Sequence, residues 1–189
     1  ALVAEHEGGY TPFEADVTDH VAAGAEARVT VVVNNELTWA SLPPGQVEET
    51  PRGRRQQYYH DFFNYSGLHR SVWLYTTPPA RITDITVDTG LEGTAGTVRY
   101  AVRCQADGPA RVRAVLRDAD GVAVASEDGA EGLLRVPDVH PWAPGDGYLY
   151  ELEALLLDGD GEVADSYLLP VGVRTVEVRG AQFLINGEP

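Results

Sequence analysis

The sequence predicts an all-β fold with two consecutive parts. The chain contains 23 valines and 13 threonines, and these residue types favour pleated, half-buried surfaces. Apolar and polar residues alternate along several segments, and no long stretch shows the 3.6-residue period of a helix. Glycine-containing turns separate the alternating runs at short intervals. This combination is typical of β-sandwiches.

The sequence predicts little regular structure in the first part, residues 1–77. Its best helix candidate is a turn or two over 17–23, after the possible cap Thr18. Apolar runs at 29–33 and 71–75 flank a long irregular stretch, and we expect the beginning of that stretch, 43–55, to be mobile. Seven aromatic residues between 58 and 75 argue against disorder there. Pro78 and Pro79 then mark a boundary, because paired prolines cannot continue a sheet ladder.

The pattern of the second part predicts an immunoglobulin-like sandwich. Along 97–104 the side chains of Val98, Tyr100, Val102 and Cys104 share one face, so we expect all four, Cys104 included, to lie in the core. Asp120-Gly121 and Gly159-Asp160-Gly161 predict hairpin turns. Seven short strands are predicted: 82–88, 97–105, 110–117, 122–126, 132–136, 148–157 and 163–169.

Composition excludes several classes of partner. The 189 residues carry a net charge of −15, whereas binding to nucleic acid or to an anionic membrane needs a basic face. No apolar run is long enough to span a bilayer. The single cysteine excludes an intrachain disulfide and favours a cytoplasmic location. The chain lacks methionine, so we expect a processed chain or a piece of a longer one.

The densest group of candidate site residues lies between His60 and Arg70. Carboxylate, amide, imidazole and aromatic groups occur together there, and this set suits the hydroxyls and C–H faces of sugars. Composition alone favours a second interpretation, a structural loop with an Asp61–Arg70 ion pair. A metal site of His60, Asp61 and His69 matches no familiar ligand spacing. Phosphate-binding and dinucleotide motifs are missing from the sequence, and we expect no cofactor.

The same segment resembles a known family. Residues 60–72, HDFFNYSGLHRSV, followed by WLYTTP, are similar to the β-glucuronidases of glycoside hydrolase family 2. The segments HEGGYTPFEADVT at 6–18 and NNELTW at 34–39 resemble the same branch, as do WAPG at 142–145 and FLING at 183–187. The resemblance covers essentially the whole chain.

This resemblance implies a three-part enzyme. Residues 1–79 would be the later part of a sugar-binding jelly roll, 80–171 the immunoglobulin-like sandwich, and 172–189 a linker into an absent (β/α)₈ barrel. Both catalytic glutamates of the family lie in the barrel, as is usual for barrel enzymes, so no residue here is expected to be catalytic. Asp61 would contact substrate hydroxyls. Its loop would be supported by His60, Asn64, Tyr65 and Arg70.

The expected function is therefore the non-catalytic part of a retaining β-glucuronidase. The expected partners are a glucuronide or other β-glycoside and the enzyme's own barrel, and the resemblance implies a homo-oligomer for the whole enzyme. One alternative is a free-standing carbohydrate-binding or adhesive β-sandwich without activity. Another, within the enzyme class, is a β-galactosidase, since the residues that would recognise a glucuronate carboxylate are expected in the barrel.

Overall fold

A computed structural model describes residues 1–61 and 65–189. The chain is all-β and divides into two compact units, Ala1–Leu74 and Tyr75–Pro189. No helix in the described ranges is long and apolar enough to cross a membrane.

The first unit contains a 3₁₀ helix and one β-hairpin. The helix, Thr18–His20, lies within the predicted helical turn, but Thr18 is its first residue and the cap position is Val17. Just before it, Asp16 Oδ1 accepts a hydrogen bond from the Thr18 amide at 2.9 Å. Strands β1, Gly45–Thr50, and β2, Gly53–Tyr58, pair antiparallel. The expectation of an irregular segment over 43–55 is therefore wrong. Pro43 and Pro44 precede the strand, and Gly45 is its first residue.

Two apolar runs before the sandwich are exposed. Residues 29–33 and 71–75 belong to no strand among the residues that the structure describes. The exposed fraction is 91% for Val32 and 81% for Leu74. Neither run therefore contributes to a core in this chain.

The second unit is the predicted sandwich. Strands β3, β4 and β7 form one antiparallel sheet in that order, and β6, β5, β8 and β9 form the other. All seven predicted strands are confirmed. Their bounds are β3, Arg81–Glu92; β4, Ala95–Gln105; β5, Arg111–Arg117; β6, Ala123–Asp128; β7, Glu131–Val136; β8, Tyr150–Leu157; and β9, Val163–Val171.

The core lies between these two sheets. Alternate residues of β4 and β8 are fully buried and pack together, including Val98, Tyr100 and Leu152. The prediction that Cys104 joins them is wrong, because its side chain is exposed. Strand β7 pairs with β4 only from Gly96 to Ala101, so the last residues of β4 extend beyond the neighbouring strand.

The two predicted hairpin turns are confirmed, and both use an aspartate in the same way. The Asp118 carboxylate accepts hydrogen bonds from the amides of Asp120 and Val122. The Asp158 carboxylate does so from the amides of Asp160 and Glu162. These carboxylates therefore stabilise the backbone of their own turns.

The last segment folds onto the second unit. Strands β10, Val176–Arg179, and β11, Gln182–Ile185, form a hairpin. Val173, before the hairpin, and Leu184, within it, are buried. The segment after β9 is thus anchored to the sandwich.

Candidate functional site

The predicted site residue Asp61 lies just beyond the end of β2. The chain leaves that strand at Tyr58 and continues through Tyr59 and His60, and both His60 and Asp61 are exposed. Within residues 1–61 and 65–189, no ion pair joins Asp61 to Arg70. The structure thus does not show the ion pair that composition alone favoured.

The other predicted site residues are placed as follows. Tyr65 and Arg70 are both exposed, and Asn64 lies outside the described residues. The described part of the chain contains no group of three or more side chains that could hold a metal ion together. The described residues therefore give the alternative metal site at His60, Asp61 and His69 no support.

Next to Asp61 the structure shows a feature that sequence reasoning missed. The rings of Trp39 and Tyr59 stack with centroids 5.1 Å apart and planes 14° from parallel. Their exposed fractions are 66% and 50%. The Gln46 amide nitrogen donates to the Tyr59 hydroxyl and to Glu48 Oε1, both at 3.1 Å. We call Trp39 and Tyr59 the aromatic platform.

A tight turn holds Trp39 in place. The Gly45 amide donates to the Thr38 carbonyl at 3.0 Å, and the Ser41 hydroxyl donates to the same carbonyl at 2.8 Å. The first hydrogen bond ties the turn that carries Trp39 to the first residue of β1, and the second closes the turn itself. The backbone next to Trp39 is therefore held in place by these two hydrogen bonds.

Leu37, which precedes this turn, packs on the hairpin face opposite the one that carries the aromatic platform. Its side chain is buried, and its amide donates to Gln56 Oε1 at 2.6 Å. A Cβ at Gly45 would approach Leu37 Cβ to 2.9 Å and the Gln57 carbonyl oxygen to 2.7 Å. Glycine is thus required for this close approach.

The charged side chains on the hairpin face where Leu37 packs are paired. The Arg54 guanidinium contacts the Glu36 carboxylate and lies 3.3 Å from Glu49. Hydrogen bonding to Glu36 raises the pKa of Arg54. These groups are exposed, so the pairs orient side chains more than they stabilise the fold.

The opposite hairpin face carries the platform and a row of planar polar groups. Glu48 pairs in register with Arg55, and Gln46 with Gln57. Side chains directly opposite in an antiparallel pair lie on the same face, and Tyr59, two residues after Gln57, continues it. Aromatic, amide, carboxylate and guanidinium groups therefore line one surface. Only the strand register could reveal it, since Trp39 and Tyr59 are 20 residues apart in the sequence.

Comparison with known proteins agrees with this architecture. Residues 1–78 match the model of the glycosyl hydrolase family 2 sugar-binding domain, and residues 80–174 match a second model of glycosyl hydrolases family 2.

Curated relatives match across nearly the whole chain. A β-glucuronidase of Paenibacillus borealis is 50% identical over 98% of this chain, and the human β-glucuronidase is 45% identical over 98%. The chain spans 32% and 31% of their lengths, about a third.

Solved structures give the same result. A β-glucuronidase of Ruminococcus gnavus in complex with D-glucuronic acid superposes with a TM-score of 0.85 at 36% identity, over 99% of this chain and 32% of that one. The sequence motifs, the sandwich and these matches agree, and the chain belongs to glycosyl hydrolase family 2.

Proposed function

We propose that this chain is the sugar-binding and immunoglobulin-like part of a retaining β-glucuronidase. The observation that carries the proposal is 45–50% identity to named β-glucuronidases over 98% of the chain. The proposed domain limits are 1–79, 80–171 and 172–189. The acid and the nucleophile that cleave the β-D-glucuronide would lie outside this chain, in the barrel, because a retaining glycosidase needs two carboxyl groups close together in one pocket.

Within this chain, the proposed substrate contact is Asp61. Its carboxylate is exposed and not paired with Arg70, which supports a role in contacting a ligand. A charged acceptor orients sugar hydroxyls strongly, because charge-assisted hydrogen bonds are stronger than neutral ones. His60, Asn64, Tyr65 and Arg70 are proposed to support the loop.

The proposal extends to the whole enzyme. The glucuronide is preferred over a galactoside because the matched relatives are named β-glucuronidases, and one solved relative holds D-glucuronic acid. A homo-oligomeric state follows from the family resemblance. A cytoplasmic location is supported by the single cysteine, Cys104.

Kinetics of the whole enzyme test this proposal. We expect hydrolysis of a chromogenic β-D-glucuronide and little of the matching β-D-galactoside. Asp61→Ala should lower kcat/KM by about 30- to 1000-fold, the scale for losing a charged hydrogen-bond partner of the transition state. Asp19→Ala, which removes another exposed carboxylate of the same unit, should leave kcat/KM unchanged. Unaltered kinetics in Asp61→Ala, or a preference for the galactoside, would contradict the proposal.

A further inference from the structure

The aromatic platform has no role in the proposed substrate contact at Asp61. Its two rings are nevertheless held in place by hydrogen bonds and exposed to water. Hydrogen bonds of the 38–41 turn hold Trp39, and Gln46 orients the hydroxyl of Tyr59. Two large rings held in water leave apolar area unburied, about 25 cal/mol for each Å² that a ligand could cover. A partner that stacks on these rings would recover that free energy.

We propose that the platform and the adjoining hairpin face bind a neutral, β-linked oligosaccharide. The inference rests on the proposed function for the class of ligand, which is carbohydrate. It adds a contact surface separate from Asp61. The C–H face of a pyranose would stack on Trp39. The hydroxyls of a neighbouring sugar unit would then meet the planar side chains of Gln46, Gln57 and Glu48.

The chemistry of the surface favours carbohydrate over a peptide or a purely apolar ligand. Flat rings complement the C–H patches of a pyranose, while amides and carboxylates donate to and accept from hydroxyls in the same plane. Here the polar groups lie on one antiparallel pair, and the stacked rings of Trp39 and Tyr59 adjoin it. An apolar ligand would leave the polar half of the face without partners, at a cost in desolvation.

The charge of the surface favours a neutral sugar over a uronic acid. The cation of this face, Arg55, lies directly opposite Glu48 in the strand register, so the two charges offset each other. A uronic-acid oligomer would therefore bind more weakly than a neutral one of equal length.

Titration of the ¹⁵N-labelled 189-residue chain tests the proposal. The probe is cellotetraose, and tri-galacturonic acid is the anionic comparison. The chain has three tryptophans, so the indole N–H of Trp39 is assigned as the signal missing from Trp39→Phe. We expect that signal to shift saturably with cellotetraose while those of Trp73 and Trp142 stay in place, and we expect a weaker response to tri-galacturonic acid.

Variants then separate binding from folding. Trp39→Ala should weaken binding about tenfold or more, as expected for loss of an aromatic stacking partner, whereas Trp39→Phe should retain most of it. Trp73→Ala is the matched control, since Trp73 is also an exposed tryptophan of the first unit, and it should bind like the original chain. If Trp39→Ala fails to fold, Gln57→Ala decides, with an expected loss of affinity.

Four outcomes would overturn the inference. They are an unmoved Trp39 signal at saturating cellotetraose, unchanged affinity in Trp39→Ala, unchanged affinity in Gln57→Ala, and tighter binding of tri-galacturonic acid. None of these measurements involves hydrolysis or Asp61. A negative titration would therefore leave the β-glucuronidase proposal intact. Unchanged kinetics in Asp61→Ala would contradict the β-glucuronidase proposal, and the titration would still test this surface separately.

Discussion

The guanidinium carbon of Arg174 lies 4.8 Å from the centroid of the Trp142 ring. This cation–π contact joins the segment after β9 to the loop before β8. The Trp142 amide also donates to the Val173 carbonyl at 2.9 Å. Asn186 adds two hydrogen bonds: its Nδ2 donates to the Trp142 carbonyl, and its Oδ1 accepts from the Thr175 amide, both at 3.0 Å. The last hairpin is therefore held to the sandwich by one cluster.

Asn186→Ala should lower the free energy of unfolding of the second unit by about 2–3 kcal/mol. The change removes both side-chain hydrogen bonds and places alanine at a φ of 53°, which disfavours a Cβ. Asn186→Gly is the matched control, because it loses the same hydrogen bonds without that backbone penalty. We expect it to be intermediate in urea unfolding followed by tryptophan fluorescence. Equal stability of all three proteins would show that the cluster contributes nothing.

Stability should fall at alkaline pH because of two buried tyrosines. Desolvation by burial raises the pKa of Tyr100 and of Tyr150, so the folded state favours the neutral phenol. The resulting stabilisation is complete below the unfolded pKa of about 10 and is lost as the pH rises through the raised folded pKa.

Tyr100→Phe should therefore make the alkaline loss of stability shallower. At neutral pH the same variant should be less stable, since the Tyr100 hydroxyl donates to the Gly129 carbonyl at 3.1 Å. Chemical unfolding at several pH values from 7 upward to about 11 measures both effects. Tyr167→Phe removes an exposed hydroxyl of the same unit as the control. If the free energy of unfolding falls as steeply with rising pH in Tyr100→Phe as in the original chain, Tyr100 does not cause the alkaline loss of stability.

Amide exchange should be slower in the sandwich than in the first unit. Residues 97–101 and 151–156 lie in strands that pair on both sides, whereas 29–33 belong to no described strand. Exchange from a central strand requires opening of the core, while exposed segments open locally. Exchange followed by mass spectrometry or NMR measures the difference, and equal protection in the two regions would contradict it.

The 189-residue chain on its own should hydrolyse no β-glucuronide. The proposed acid and nucleophile lie outside it, and positioning a sugar through Asp61 does not replace them. The test is a chromogenic assay of the purified chain at high concentration. Turnover that survives repurification, and that Asp61→Ala abolishes, would place catalytic groups within this chain.

The strands of the sandwich were predictable because their signal is local. Alternation such as that of Val98, Tyr100 and Val102 depends only on the two-residue period of a strand, and turn residues mark each end. Cys104 continues the same alternation and is exposed, although β3 still pairs with it through Ile82. Alternation indicates which face of the sheet a side chain occupies, whereas burial also requires packing partners on that face.

The sequence by itself determined the all-β class, the seven strands of the sandwich, the family and the place of Asp61 in a family motif. The tertiary structure decided which distant residues meet. It formed a hairpin over 45–58, brought Trp39 onto Tyr59, and placed Asn186 against Trp142. The physical reason is that strand period and turn chemistry are short-range properties, whereas register and packing between distant segments depend on how the whole chain closes.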